Sequence, residues 1–277
     1  MIHLKKYVLL NLMPHLGQYI WSNVFNTKIC NYEGTLIQNY SNNSIKYAFP
    51  FTDKNPKEII NLMILNHKIH NSYAPFIFTG ITDKELEYLE NEFPNQFEII
   101  PKRNMWEYIY SCKELATLSG KKFHNKRNHI NNFKKLYSFE YEKIKKENIV
   151  DVYEFIDQWF KINGNIESEK TAIHKCLTYY DELELLGAVI KVNKKIIALT
   201  IGEKINDDTF VIHFEKAFKS YVGAYSITNY KFSKILYDLG FKYINREEDL
   251  GIPGLRKSKL SYNPVILMKK YDAVLGG

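Results

Sequence analysis

The segment Tyr243-Ile-Asn-Arg-Glu-Glu-Asp-Leu-Gly-Ile-Pro-Gly-Leu-Arg-Lys-Ser-Lys-Leu-Ser-Tyr262 places opposite charges between turn-forming residues. Phe241 to Asn245 has the composition of a short strand, and two glycines and a proline soon after it predict a tight turn. Charged side chains at the end of a strand stand where α/β proteins usually bind ligands. The segment therefore predicts a functional site, although two solvated turns of opposite charge would give the same pattern. Its charged residues are Arg246, Glu247, Glu248, Asp249, Arg256, Lys257 and Lys259.

Hydrophobic periodicity predicts the same order of helices and strands twice along the chain. The first copy is predicted to run α, three β, α, β, α, β: Pro14 to Phe25, Lys28 to Tyr32, Thr35 to Tyr40, Ile45 to Phe49, Pro56 to His70, Pro75 to Thr79, Asp83 to Glu92 and Phe97 to Ile100. The second copy begins near Asn148 with an extra helix: Val150 to Lys161, Ser168 to Tyr180, Leu185 to Val192, Lys195 to Glu203, Thr209 to Ala217, Ala224 to Leu239, Lys242 to Asn245, a turn with Pro253 to Leu260, and Pro264 to Tyr271.

Three blocks of this sequence resemble the phosphatidylglycerol lysyltransferase C-terminal-domain-like family, in particular its soluble members. The blocks are Asn245 to Tyr262, Leu118 to Lys135, and His213 to Ala217 together with Gly223 to Tyr225. The resemblance implies two tandem N-acetyltransferase-like (GNAT) folds, and the predicted order of elements is that of a GNAT fold. For the lysyltransferase relatives it implies transfer of an aminoacyl group from tRNA to a lipid. For the soluble members it fixes no substrate.

The expected fold class is therefore α/β (α+β), with two tandem GNAT-like domains of mixed, splayed sheets. We expect an N-terminal domain at residues 1–117, a basic connecting helix within 118–147, and a C-terminal domain at 148–277 that carries the site. The first domain is predicted to be degenerate and structural, because it offers only Phe49-Pro50-Phe51-Thr52 where the second has charged residues.

In a GNAT-like domain, a ligand enters the gap after the third strand of the meander, and the next helix points its N-terminus at any pyrophosphate. Acyl transfer needs a proton acceptor, a stabilised oxyanion and a grip on the donor's phosphates. The predicted catalytic residues are Glu215, Arg246, Glu247 and Asp249. The predicted substrate-binding residues are Lys216, Gly223, Ala224, Tyr225, Arg256, Lys257, Lys259 and Tyr262. Glu215 and Arg246, on adjacent predicted strands, can equally form a buried ion pair without a catalytic role.

Two further stretches bear on the donor. Coenzyme A sites in this fold use a loop with two small residues, but the equivalent stretch Lys219 to Tyr225 has one glycine among bulky side chains. Lys121 to Lys135 carries six Lys or Arg, two His and no acid, which predicts a connecting helix from Ser119 to Tyr137 that binds nucleic acid or another polyanion. The predicted nucleic-acid-binding residues are Lys121, Lys122, Lys126, Arg127, Lys134 and Lys135.

Composition excludes several classes of protein. The 277 residues carry a net charge of +7, and their three widely spaced cysteines indicate neither a disulfide framework nor a zinc site. His67 and His70 lack a third ligand, so we expect no metal. No run approaches a membrane span and no cleavage pattern follows the start, so we expect a cytoplasmic protein, with peripheral membrane contact left open. Hydrolase and kinase motifs are absent from the sequence.

Three hypotheses stay open at this stage. The leading one is an acyl or aminoacyl transferase with aminoacyl-tRNA as donor. The second is a coenzyme-A-dependent N-acyltransferase, and the third is a non-catalytic binding module on the same fold. The sequence leaves the donor, the acceptor and the oligomeric state undetermined.

Overall fold

The structure is a computed structural model that describes residues 17–41, 44–164 and 166–276. Within those residues the helices are α1 (Gly17–Ile20), α2 (Pro56–His70), α3 (Asp83–Glu92), α4 (Cys112–Thr117), α5 (His124–Leu136), α6 (Ile149–Asn163), α7 (Glu167–Thr178), α8 (Ala224–Asp238) and α9 (Pro253–Leu260). The strands are β1 (Lys28–Tyr32), β2 (Thr35–Tyr40), β3 (Lys46–Tyr47), β4 (Ile77–Ile81), β5 (Phe97–Pro101), β6 (Glu107–Ser111), β7 (Phe139–Lys143), β8 (Leu186–Val192), β9 (Lys195–Lys204), β10 (Thr209–Ala217), β11 (Tyr243–Asn245), β12 (Ile266–Met268) and β13 (Tyr271–Leu275).

The chain divides into two compact units that do not follow the predicted domain boundaries. The first consists of Met1–Glu107, Glu248–Ile252 and Met268–Gly277, and the second of Tyr108–Glu247 and Pro253–Leu267. Residues 108–147 therefore belong to the second unit. The end of the chain belongs to the first unit, because β13 pairs with β4 and β5.

The first unit is built on a six-stranded mixed sheet with the order β1-β2-β3-β4-β13-β5. The β3–β4 pair is parallel. Helix α2 begins where the Asn55 side chain accepts a hydrogen bond from the Lys57 backbone N–H at 3.0 Å, with Pro56 at the first helical position. Its apolar face packs Ile60 and Met63 into a buried cluster with Phe78 of β4.

The second unit contains a seven-stranded mixed sheet with the order β12-β6-β11-β10-β9-β8-β7. Helix α8 packs on it through a buried core that includes Ile227 and Phe232. The β10–β11 pair is parallel and extends only to Val211 opposite Asn245, whereas β10 continues to Ala217. The last six residues of β10 therefore have no partner in β11, which confirms the predicted splaying of the sheet.

Most predicted elements are confirmed, and the errors are of three kinds. Strands β6 and β7 and helix α4 were not predicted. The single strand predicted from Pro264 to Tyr271 is wrong, because it is divided into β12 and β13 in different sheets. The first helix was predicted from Pro14 to Phe25, but α1 ends at Ile20 and is followed by turns. Residues 14–16 of this prediction lie outside the described residues.

Candidate active site

Arg246 and Glu215 form an ion pair in the second unit, with 2.9 Å between Nη2 and Oε1. Glu215 lies in the part of β10 beyond its β11 pairing, and Arg246 directly follows β11. Their side chains are only 11% and 9% exposed. The two side chains meet as the sequence predicts, and their role stays a prediction.

Two tyrosines enclose the guanidinium group of Arg246. Its central carbon lies 5.0 Å from the ring centre of Tyr262 and 5.7 Å from that of Tyr110, within the range of cation–π attraction. Tyr262 is 4% exposed, and burial raises the pKa of its hydroxyl. The Tyr110 hydroxyl donates a hydrogen bond to the Lys259 carbonyl at 2.9 Å. Arg246 is thus held between rings that remain neutral near pH 7.

The ion pair leaves polar atoms without partners. Among the described residues, Arg246 Nη1 and Glu215 Oε2 are buried and have no hydrogen-bond partner. The Thr200 hydroxyl, on the residue opposite Glu215 in the β9–β10 pair, is also buried without one. Buried polar groups are nearly always hydrogen bonded, because an unsatisfied one costs about 1–3 kcal/mol. These atoms suit a polar ligand that offers both an acceptor and a donor.

Lys126, whose role as a nucleic-acid contact stays a prediction, contacts the Tyr262 ring of this site. Its Nζ is 3.6 Å from the ring centre of Tyr262 and donates to Ser261 Oγ at 2.7 Å. Burial, and then repulsion from Arg246, lower the pKa of Lys126 to about 8 against the opposing effect of Glu215. We call Arg246, Glu215, Tyr262, Tyr110 and Lys126 the Arg246 cluster.

Glu247, predicted as catalytic, belongs to a separate buried chain of charges. Its Oε1 lies 2.7 Å from His213 Nδ1, and His213 Nε2 lies 2.9 Å from Glu203 Oε1. Burial alone would lower the pKa of His213, but the two carboxylates outweigh it and raise the pKa to about 10. His213 is therefore a fixed cation at neutral pH. The site prediction did not include Glu203 or His213, although His213 stands in one of the three quoted blocks.

Asp249, also predicted as catalytic, is part of the first unit. It is fully buried, with Oδ2 3.0 Å from Arg103 Nη1 and Oδ1 accepting the Gly251 N–H at 2.8 Å. Both carboxylate oxygens therefore have partners within the first unit, the Arg103 guanidinium and the Gly251 backbone N–H. These contacts account for Asp249 by structure alone.

The predicted substrate-binding cations also have structural contacts. Lys259 is 7% exposed, and its Nζ donates to the carbonyls of Arg246 and Glu247, the latter at 3.1 Å. Lys216 pairs with Glu169 at 2.7 Å, with its Nζ 4.3 Å from the ring centre of Trp159. In α9, Arg256 is half-buried and Lys257 is exposed.

Gly223, at the start of α8, is explained by helix packing. Its φ is +88°, and a Cβ added there would lie 2.5 Å from the His129 carbonyl oxygen and 3.0 Å from Phe133 Cβ. The backbone of α5 therefore lies directly against this turn, and a glycine is needed without any ligand. Ala224 is buried and Tyr225 half-buried, where burial raises the tyrosine's pKa.

The rest of the basic run divides between structural contacts and the surface. Arg127 donates to the carbonyls of Leu118 at 2.5 Å and Gly120 at 2.7 Å, which fixes the entry to α5. Lys122 pairs with Glu114 of the unpredicted helix α4 at 2.7 Å. The exposed members are Lys121, Lys122, Lys134 and Lys135.

The part of the chain that the structure describes offers neither a metal centre nor a membrane span. In residues 17–41, 44–164 and 166–276, no group of three or more His, Cys, Asp or Glu side chains is placed to hold a metal ion. Over the same ranges, no helix has the length and apolarity needed to cross a bilayer.

Comparisons with known proteins show the fold and the family of this chain. The two mixed sheets have a GNAT-like fold. A family model described as phosphatidylglycerol lysyltransferase, C-terminal, matches residues 18–274. This chain belongs to that family. Family and fold together relate it to transferases.

Three of the similar proteins illustrate the relationship. A conserved protein of unknown function from Bacteroides thetaiotaomicron is 34% identical, with a TM-score of 0.88 over 96% of this chain and 92% of that one. L-PGS from Bacillus licheniformis is 18% identical and shares the fold, with a TM-score of 0.65 over 90% and 84%. An uncharacterised protein from Mycoplasmoides gallisepticum is 26% identical over 80% of this chain and 72% of its own length.

The packing of α5 on α8 predicts a stability effect at Gly223. Gly223→Ala places a Cβ against the His129 carbonyl in a left-handed turn, so we expect urea denaturation to show a loss of about 1–3 kcal/mol. Gly254→Ala, where the added Cβ meets nothing within 4 Å, is the control. Equal unfolding midpoints for the two variants would contradict the packing role.

The charge on His213 predicts a pH dependence of stability. Because its pKa rises from 6.5 to about 10 on folding, its stabilisation is full below pH 6.5 and is lost as the pH rises towards about 10. We expect urea denaturation to show that His213→Gln loses less stability than the wild type over this window. The exposed His124→Gln should keep the wild-type slope. Identical slopes for all three proteins would show that His213 is not charged in the fold.

Proposed function

We propose that this protein is an acyltransferase of the aminoacyl class, with its active site at the Arg246 cluster and aminoacyl-tRNA as donor. The observation that carries the proposal is the buried Arg246–Glu215 pair, in which one N–H group and one carboxylate oxygen lack partners. Such a pair costs desolvation energy and gives little net stability, so its retention is better explained by a ligand.

The proposed reaction assigns a task to the two unpartnered atoms of the ion pair. The acceptor's oxygen or nitrogen forms a bond to the acyl carbon, the ester C–O bond breaks, and the acceptor's proton passes to the departing oxygen. Arg246 Nη1 donates to the carbonyl oxygen as it becomes negative. Glu215 holds the guanidinium through Oε1 and accepts a hydrogen bond from the substrate through Oε2.

Two features support aminoacyl-tRNA over coenzyme A as the donor. The start of α8, where a GNAT-like site would cradle a pyrophosphate, is packed against α5 at Gly223. The same helix α5 and the turn before it expose four lysines that suit a phosphate backbone. A lysyltransferase is also the protein after which the matched family is named.

The first unit is proposed to be a structural partner without a site. Its buried carboxylates are satisfied within the unit, with Asp249 on Arg103 and Asp272 on Lys46 at 2.9 Å. Because a tRNA donor is charged in the cytoplasm, the proposal also places the protein there.

The donor is tested by binding, which requires no knowledge of the acceptor. We expect bulk tRNA charged with mixed amino acids to bind more tightly than the same tRNA after deacylation, and acetyl-CoA not to bind at micromolar concentration. Arg246→Lys should reduce the preference for charged tRNA by about 10–100-fold, because it loses a charge-assisted hydrogen bond of about 1.5–3 kcal/mol.

The control for this test is Lys242→Gln, which removes the cation of an exposed ion pair with Asp208 in the same unit. It should bind charged tRNA as the wild type does. Micromolar binding of acetyl-CoA would establish the coenzyme-A alternative instead. Failure to bind either donor would support the non-catalytic binding module.

The exposed lysines predict a salt dependence. In a variant with Lys121, Lys122 and Lys135 changed to Gln, tRNA affinity should fall for charged and deacylated tRNA alike. The slope of log affinity against log salt should flatten by up to about one unit for each phosphate that the variant no longer neutralises. Lys126 and Arg127 are left intact, because their side chains contact the protein. An unchanged slope in a folded variant would remove these lysines from the tRNA surface.

A further inference from the structure

Lys126 differs from the other cations of its helix in where its amine lies. Its Nζ stands over the face of Tyr262 at 3.6 Å and donates to Ser261 Oγ at 2.7 Å. The same Tyr262 ring lies 5.0 Å from the guanidinium carbon of Arg246. Lys126 and Arg246 therefore both contact the ring of Tyr262, and Lys126 is close enough to interact with the charges of Arg246 and Glu215.

The carboxylates that sequence reasoning offered as proton acceptors are engaged elsewhere. Glu247 is paired with the charged His213, and Asp249 with Arg103. Glu215 is engaged through Oε1 in the ion pair with Arg246. An acyltransferase still needs a group that takes the proton of the attacking oxygen or nitrogen.

We infer that Lys126 is the proton acceptor of the reaction at the Arg246 cluster, and this inference rests on the proposed function. The neutral Nζ takes the proton of the acceptor as the acceptor's oxygen or nitrogen bonds to the acyl carbon. The ester C–O bond then breaks, and the Lys126 ammonium returns the proton to the departing oxygen. Lys126 ends neutral, so the cycle needs no additional reactant.

The charges facing Lys126 favour this cycle. Burial and the neighbouring Arg246 disfavour its ammonium form, while Glu215 favours it, and the balance sets the pKa to about 8. With that pKa, about a quarter of the side chains are neutral near pH 7.5, against about one in a thousand for an ordinary lysine of pKa ~10.4. Tyr262, the titratable group in direct contact, stays neutral because burial raises its pKa.

The decisive variant is Lys126→Arg, which keeps a cation of similar length but cannot release its proton near neutral pH. The donor probe is bulk tRNA charged with labelled amino acids, and the acceptor probe is glycerol, whose hydroxyls do not titrate in the tested range. We expect the wild-type transfer rate to rise with pH and to level off above about 8. Lys126→Arg should transfer about 10²–10⁴-fold more slowly with no plateau, and should bind charged tRNA as the wild type does.

Lys195→Arg, at the exposed first residue of β9, is the matched control and should keep both the rate and the pH profile. A second measurement does not depend on transfer. Competitive acetylation followed by mass spectrometry should show Lys126 becoming reactive with a midpoint near pH 8 in the wild type.

The outcomes separate this inference from the proposed function. If Lys126→Arg transfers at the wild-type rate with the wild-type pH profile, or if Lys126 becomes reactive only near the ordinary lysine value, Lys126 is not the proton acceptor and the proposed function stands. If the wild type neither prefers charged tRNA nor transfers its label, the proposed function fails and the role of Lys126 fails with it.

Discussion

The short parallel pairing of β10 with β11 is the constraint on which the candidate site depends. The pairing of β11 with β10 ends at Asn245 opposite Val211, so β10 continues for six residues without this partner. On its other side the chain stays bound to β6, because Arg246 and Glu247 exchange backbone hydrogen bonds with Tyr108. Arg246 then crosses the widening gap to reach Glu215. A longer β11 would fill this gap with ladder hydrogen bonds, and neither charged side chain would have room to meet the other. The splay of the sheet thus places a buried ion pair inside an otherwise apolar core.

Most of the charge around this gap fixes the backbone. Glu247 has a φ of +54°, a left-handed conformation that is uncommon for a residue with a side chain. Lys259 donates hydrogen bonds to the backbone carbonyls of Arg246 and Glu247. The His213 ring forms a hydrogen bond with the Glu247 carboxylate. The contacts from Lys259 and from His213 therefore hold this strained turn in place. This fastening fixes the direction in which Arg246 leaves the strand, so the surrounding charges act on the site through geometry.

The sequence patterns predicted the helices and strands whose bounds depend on nearby residues. Helix α2 and strands β1, β2 and β10 have the predicted bounds, and the meeting of Glu215 with Arg246 follows from two strand ends being neighbours. The patterns failed where long-range packing decides. The run from Pro264 to Tyr271 contains no signal that the chain changes sheets between β12 and β13. The sequence also did not predict the packing at Gly223, because a glycine at a helix start suits close approach of either a ligand or another helix, and here α5 lies against it.

Lys126 shows why residue type alone was insufficient in the basic run. The predicted set of nucleic-acid contacts groups six cations together, but α5 packs along α8 and also places Lys126 against Tyr262. An exposed lysine is solvated and charged, so it attracts a polyanion over about one Debye length, near 8–10 Å. A lysine that is desolvated beside an arginine loses part of its charge instead. In the proposed function a phosphate-rich donor would tend to return that charge by raising the pKa of Lys126. The burial that separates Lys126 from the exposed lysines also limits this effect. One helix can therefore attract an anion through its exposed lysines while Lys126 keeps a larger neutral fraction than an ordinary lysine.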